Sequence, residues 1–399
     1  MNEPQAPIPK TDPASVEMRE RAKAEGVETI WDRYEAFGTQ CKVGELGICC
    51  SICHMGPCNL GLPGSKRTKV GVCGATIDNI VARRLARGMA AGSAAHTDHG
   101  RAVASLLLKT ARGEAPGYRI ADEAKLNSLA DDLGIERDGK PVEQVAEEVA
   151  RACLSAFGAQ EDGIKFVERA PEKQQEDWEK LDITPRGIDR EVVDVMHRTH
   201  MGVDSDYKTI ILGAMRSTLA DGWGGSMIAT DLQDVLFGTP KPVRAEVNLG
   251  VLGEDTVNIL VHGHEPALAE AIADVANDPA MLERAKEVGA SGITVAGICC
   301  TANEVLMRRG VPIAGDFLQQ ELAVTTGAVE AMLVDVQCIM PGITQAAGCF
   351  HTEVIATSEQ AHFPGTIHVD FSAGNAYEGG REIVGRAVDN YARRDKGRV

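Results

Sequence analysis

The sequence predicts an α + α/β protein, a mostly helical first part followed by a parallel α/β second part. Three observations carry this. Periodicity from residue 16 to about 235 is helical; beyond 236, short β-branched apolar runs alternate with helical segments; and six of the 11 cysteines crowd between Cys41 and Cys73. The expected organisation is a flexible lead-in over 1–15, a helical cysteine-rich domain over 16–235 and an α/β domain over 236–399.

The lead-in "MNEPQAPIPKTDPAS" is polar and Pro-rich and has no apolar signal segment. "SVEMRERAKAEGVETIWDRYEAFG" then sets apolar residues at helical spacing among i,i+4 charge pairs. "TIDNIVARRLARGMAAGSAAHTDHGRAVASLLLKTARG" reads as a helix, a Gly-containing break and a second helix. "LADDLGI" and "PVEQVAEEVARACLSAFG" are further helical pieces, and 170–190, rich in Pro, Glu, Lys and Gln, reads as an exposed connection. In the second part, "TVNILVHGH", "GITVAGICC", "AMLVDVQC", "TEVIATS" and "TIHVDF" are five strand candidates. Helical stretches such as "PALAEAIADVA" and "NEVLMRRG" separate them. This alternation predicts Rossmann-like winding, although no GxGxxG follows the first strand and no nucleotide is inferred.

Bulk properties narrow the function classes. A net charge of −17 and a pI near 5.1 disfavour nucleic acid and anionic membrane surfaces as partners; the short "ARRDKGR" reads as a solvated helix end. No window of about twenty apolar residues predicts a spanning helix. The expected location is the cytoplasm, where thiols stay reduced, and an odd cysteine count also argues against a closed disulfide set.

The spacing Cys41-x7-Cys49-Cys50-x2-Cys53-x4-Cys58-x14-Cys73 lies in a loop rich in Gly and Pro. Structural zinc sites use two C-x2-C-like knuckles; here one C-x2-C is followed by C-x4-C. Cys50, Cys53, Cys58 and Cys73 would complete one [4Fe–4S] cluster, with zinc as the alternative. Cys41 and Cys49 are half a ligand set. A cluster on a two-fold axis would take two ligands from each chain, which predicts a homodimer sharing a [4Fe–4S] or [2Fe–2S] cluster; unliganded core thiols are the alternative. In the second part, His262, His264, Cys299, Cys300 and Cys338 fall at the carboxyl ends of three successive strands, the usual site of an α/β sheet, and predict a metal site there. From chemistry alone either His262 or His264 could ligate. His96 and His99, at i,i+3 in "HTDH", share a helix face and suit proton transfer near neutral pH, with surface histidines of no catalytic role as the alternative. His197 and His200 read as structural, and His54 as a donor to a cluster sulfide.

The runs "CKVGELGICCSICHMGPCNL", "AAHTDHGR", "HRTHMGVDSD", "LVHGHEPAL", "GICCTANE" and "DVQCIMP" closely resemble, in order, those of the anaerobic nickel-containing carbon monoxide dehydrogenases of the hybrid-cluster/CO dehydrogenase superfamily. The resemblance covers nearly the whole sequence. It implies CO + H2O going to CO2, two protons and two electrons at a nickel–iron–sulfur cluster, with electrons leaving through [4Fe–4S] clusters to a ferredoxin-like acceptor. It matches Cys50, Cys53, Cys58 and Cys73 to the cluster within each chain, and Cys41 and Cys49 to the half-site shared across the homodimer. His264, Cys300 and Cys338 match ligands of the active cluster, with Cys299 a neighbour. The family's histidine series continues from His96 and His99 at three-residue spacing; here the next positions are Ala102 and Ser105, a shortened relay. The family's further C-terminal α/β domain, with three more cysteine ligands and a lysine, has no counterpart in this sequence, and Cys349 lies too early to replace them. A separate C-terminal chain or an acetyl-CoA synthase are possible partners. A hybrid-cluster-type hydroxylamine reductase and a non-catalytic Fe–S electron-transfer remnant are the alternatives.

Overall fold

The computed structural model describes residues 12–61, 64–161 and 163–399. They form two compact units: 38–113 with 119–236, and 237–399 with 114–118 and the residues up to Phe37. Most of the expected lead-in lies outside the described residues, and the first helix, Pro13–Glu25, already starts within it, capped by the Asp12 side chain. Helices Pro13–Glu25 and Ile30–Phe37 fall in the α/β unit, whereas periodicity placed them in the helical domain. Arg21 Nη1 donates to Thr326 O at 3.2 Å, the Ile30 N–H donates to Glu321 Oε2 at 2.5 Å, and Arg33 pairs with the buried Glu321 carboxylate. Periodicity reports which face of a helix is apolar; it carries no information on which core receives that face.

In the helical unit, β1 (Cys49–Cys50) pairs antiparallel with β2 (Cys58–Asn59), Cys50 opposite Cys58. One uninterrupted helix, Ile77–Ala111, forms the spine, so the expected break is absent. Gly88 and Gly92 face open space, where a glycine costs a helix only about 1 kcal/mol. Ala82, Ala86 and Ala90 lie one turn apart and pack on Val195, Ile210 and Ala214 of helices Ile188–Arg198 and Tyr207–Ala220. Short side chains at this spacing let helix axes come close. A single π-turn, Asp221–Gly225, links Tyr207–Ala220 to the helix Ser226–Phe237. Within 170–190, expected as a connection, Glu172–Lys180 is a helix; its low hydropathy reflects a helix with no buried residue.

The α/β unit is a six-stranded parallel sheet: β3 (Val257–His262), β4 (Ile293–Ile298), β5 (Ile313–Gly315), β6 (Val329–Val334), β7 (Glu353–Ala356) and β8 (Ile367–His368), ordered β5-β4-β3-β6-β7-β8. Alternate residues feed two cores. Val257, Ile259, Val261, Ala331 and Leu333 pack on helices Pro266–Ala276 and Ala376–Asn390; Leu260, Ala296, Met332 and Val334 face the opposite layer with Leu322 and Ile343. The chain runs outward from β3 to β5, returns, and continues from β6 to β8. The winding reverses between β3 and β6, so the crevice beyond their carboxyl ends is the natural site. β5 was missing from the sequence reading: it is three residues long and follows Pro312.

Candidate metal centres

The sheet brings the predicted strand-end residues to one edge. His262 ends β3 and pairs in register with Ile298 of β4 and Val334 of β6. Cys299 directly follows β4 and Cys300 opens the short helix Cys300–Glu304, whose Thr301 N–H donates to Gly263 O at 3.0 Å. Cys338 comes after β6 on a loop in which Gln337 and Cys338 hold φ of 65° and 61°. Cys299, with φ 67° and ψ −149°, sits near a region that glycine normally occupies. Two of the site cysteines, Cys299 and Cys338, and Gln337 between β6 and Cys338 thus hold backbone conformations costing of order 1–3 kcal/mol each. The thiols interact: burial raises the Cys299 thiol well above its usual range, helped by Cys338 and Cys300, and burial beside Glu304 and Cys338 pushes Cys300 up to about 11.

Asp335 organises this edge. It is buried, and its carboxylate accepts the N–H of His264 at 2.7 Å, of Glu265 at 2.9 Å and of Val336. Burial pushes its pKa up to about 7 against those three donors. Gly263 (φ 138°) makes room, since a Cβ there would overlap the Asp335 carboxylate. The His264 ring donates from Nδ1 to Val336 O at 3.2 Å, so Nε2 is the nitrogen that could ligate a metal. His262 is fully buried, and burial lowers its pKa to about 4 against the opposing pull of Gln320 and the backbone of Ile298 and Cys338. A neutral imidazole beside soft thiols suits a thiophilic metal cluster. Cys349 and His351 lie elsewhere. His351 Nε2 meets Glu330 Oε1 at 2.9 Å at the amino end of β6, the opposite edge of the sheet from Cys338.

In the helical unit, Cys50, Cys53, Cys58 and Cys73 line one small pocket, together with Ile80 and Arg83 of the spine helix. The β1–β2 pairing sets Cys50 against Cys58, and the Val72 N–H donates to Cys58 Sγ at 3.5 Å. Gly56 is required, because a Cβ would stand 2.8 Å from Cys50 O. Cys41 is exposed and Cys49 half-buried, and neither lines this pocket. His54 is exposed. Among the described residues no three His, Cys, Asp or Glu side chains converge tightly enough for a single metal ion. In a polynuclear cluster each cysteine binds its own iron, so ligands surround a volume instead of one point. Four thiols around one pocket fit such a group.

His96 and His99 lie on the spine helix, as expected. His96 Nδ1 donates to Asp221 Oδ2 at 3.1 Å, and Asp221 Oδ1 accepts from Ser226 Oγ at 2.9 Å. The Gln233 amide nitrogen lies 3.1 Å from His99 Nε2. The π-turn presents Asp221 there, and Gly100 and Gly225 permit the contact: a Cβ on Gly100 would overlap Gly225 O. Asp221, Gln233 and Asp335 were missed from sequence. Asp335 alone left a signal, a lone carboxylate ending a buried apolar run.

The family model described as Prismane/CO dehydrogenase matches residues 48–399. The chain belongs to the Prismane/CO dehydrogenase family. It is 56% identical to carbon monoxide dehydrogenase 1 of Methanosarcina mazei over 96% of this chain and 61% of that relative. It is 47% identical to carbon monoxide dehydrogenase 1 of Carboxydothermus hydrogenoformans over 97% of this chain and 61% of that one. Among solved structures, a nickel-free carbon monoxide dehydrogenase from Thermococcus sp. AM4 superposes with a TM-score of 0.94 at 49% identity, covering 98% of this chain and 63% of that one. The chain thus spans about three-fifths of the length of these Prismane/CO dehydrogenase relatives. No helix among the described residues is long and apolar enough to cross a membrane.

Proposed function

We propose that this chain carries the N-terminal clusters and part of the active site of an anaerobic carbon monoxide dehydrogenase, oxidising CO with water to CO2, two protons and two electrons. The observation that carries the proposal is the thiol-rich edge at the β3/β6 reversal, where His264, Cys299, Cys300 and Cys338 gather beside the buried, neutral imidazole of His262. Its family membership supports the same reading. His264, Cys300 and Cys338 would hold a nickel–iron–sulfur cluster, with Cys299 beside them. Such a cluster, when bound, supplies low-valent metal for CO and a Lewis-acidic iron for water. The protein's own part is positional. Asp335 fixes the turn that carries His264, and Val336 O orients its ring. Asp221 accepts from His96 Nδ1, so Nε2 is the nitrogen able to take a proton; Gln233 donates to His99 Nε2, which places that ring's proton on Nδ1. Cys50, Cys53, Cys58 and Cys73 would hold a [4Fe–4S] cluster, and Cys41 with Cys49 half of one shared across a homodimer. Electrons would leave through these to a ferredoxin-like acceptor, and an acetyl-CoA synthase or a separate C-terminal chain are further partners.

Metal analysis of the anaerobically purified chain tests this. Iron at roughly six per chain is expected from one four-iron cluster and half of a second. Zinc in place of iron, in a colourless protein, would overturn the cluster assignment. Nickel at about one per chain would show that the strand-end ligands also load.

A further inference from the structure

The cysteine pocket contains a charge that nothing among the described residues balances. Arg83 is 2% exposed and lines the pocket with the four cysteines. Nη2 donates to Asp204 O at 3.1 Å, Nε has no partner, and among the described residues no carboxylate pairs with the guanidinium. One turn earlier on the same helix face, Asn79 is also 2% exposed, with neither side-chain polar atom hydrogen-bonded, and it borders an adjoining pocket with Cys73 and Arg83. Burying a guanidinium opposite one carbonyl is strongly unfavourable unless an anion shares the site. The surrounding sequence leans the same way: residues 38–113 contain ten Lys and Arg against three Asp and Glu, in a chain of net charge −17.

A [4Fe–4S] core bound by four thiolates is a net dianion and becomes more negative by one charge on reduction, and its potential follows the charges around it. We propose that Arg83 is the built-in counter-charge for an anionic, thiolate-bound cluster in the Cys50–Cys53–Cys58–Cys73 pocket, a positioning residue that stabilises the reduced form. This rests on the reading of those cysteines as cluster ligands. A cation favours the form with the extra electron, so removing it lowers the potential. It also follows that Arg83 destabilises the metal-free fold and stabilises the loaded one.

The test uses the full chain with Cys41→Ser and Cys49→Ser, so that only the pocket cluster titrates. After anaerobic reconstitution with iron and sulfide, the reduction equilibrium is followed by EPR for Arg83, Arg83→Met and Arg83→Lys. Arg83→Met should shift it tenfold or more toward the oxidised form, 59 mV for one electron, and Arg83→Lys should recover most of that. Less than a twofold shift, with iron content unchanged, overturns the proposal. Thermal unfolding of the metal-free proteins is the second readout. Arg83→Met without metal should unfold at the same or a higher temperature than the parent, whereas a residue with only a packing role would lower it, and that result also overturns the proposal. Should the parent itself take up no iron, the cysteine reading fails and the proposal falls with it; the parent's iron content separates that failure from a failure of Arg83 alone.

Discussion

Replacing Asp335 should loosen the edge that carries His264. In Asp335→Ala, three backbone donors lose their acceptor: the buried His264 N–H at 2.7 Å, the partly buried Glu265 N–H at 2.9 Å, and the Val336 N–H. An unmet buried donor costs about 1–3 kcal/mol, less where water can reach it. One full and two partial penalties give roughly 3–5 kcal/mol for the α/β unit. Asp335→Asn keeps one oxygen, which can serve His264 and Val336 from the position of Oδ1, but turns an NH2 toward the Glu265 N–H, for about 1–2 kcal/mol. Urea unfolding gives the two energies, and hydrogen–deuterium exchange of the peptide spanning 262–268 gives the local opening. The expected order is wild type, then Asn, then Ala, with exchange at His264 rising most. A loss below about 1 kcal/mol in Asp335→Ala, with exchange unchanged, would refute the claim that this carboxylate sets the turn.

Cys41→Ser with Cys49→Ser should remove about two irons per chain and spare the pocket cluster; unchanged iron would end the shared-site idea. Asp194 has Arg198 at 3.1 Å, Arg216 at 3.4 Å and Arg186 at 3.6 Å. Burial pushes its pKa up, but these guanidiniums outweigh that and hold it below 3.8. A depressed carboxylate pKa gives stability that is present above the unfolded value and lost as pH falls through the folded one. Asp194→Asn should therefore cost about 1 kcal/mol at pH 7, the solvent-screened worth of a partly exposed pair, with the difference from wild type shrinking below pH 3.8, as urea unfolding across pH would measure. Burial raises the Cys153 thiol far above its usual range, so iodoacetamide on the folded, metal-free chain should leave Cys153 unmodified while exposed Cys41, Cys73, Cys338 and Cys349 react; mass spectrometry reads the pattern.

The sheet was legible because its strands are buried on both faces and so spell continuous apolar runs, such as Val257–His262 and Val329–Val334. The strand-end positions of His262, His264, Cys299, Cys300 and Cys338 were legible for the same reason: once a run is read as a strand, its carboxyl end is known. β5 lacked the length to be read, and the supposed break in Ile77–Ala111 came from scoring Gly88 and Gly92 by propensity when a 35-residue helix packed along one face absorbs that cost easily. Asp221, Gln233 and Asp335 serve residues 71 to 134 positions away, and only the fold brings such partners together.

The two kinds of centre are built on opposite principles. The helical unit surrounds its pocket with thiols from a glycine-rich loop and sets a buried cation beside them, so local sequence supplies nearly the whole site and only the charge balance comes from the helix. The strand-end site draws one ligand candidate from each of three strands and holds strained backbone at Cys299, Gln337 and Cys338. Strain of that kind persists only where the surroundings over-determine it. Here the fixed register of β3 with β4 and β6 and the three N–H bonds into Asp335 do so. The strand-end site should therefore be formed before any metal arrives, whereas the cysteine loop should gain most of its order from the cluster proposed for it. Exchange protection measured with and without reconstituted iron would separate them: large gains confined to residues 41–73, and little change at 262–266 and 335–338. Equal gains at both would contradict a preformed strand-end site.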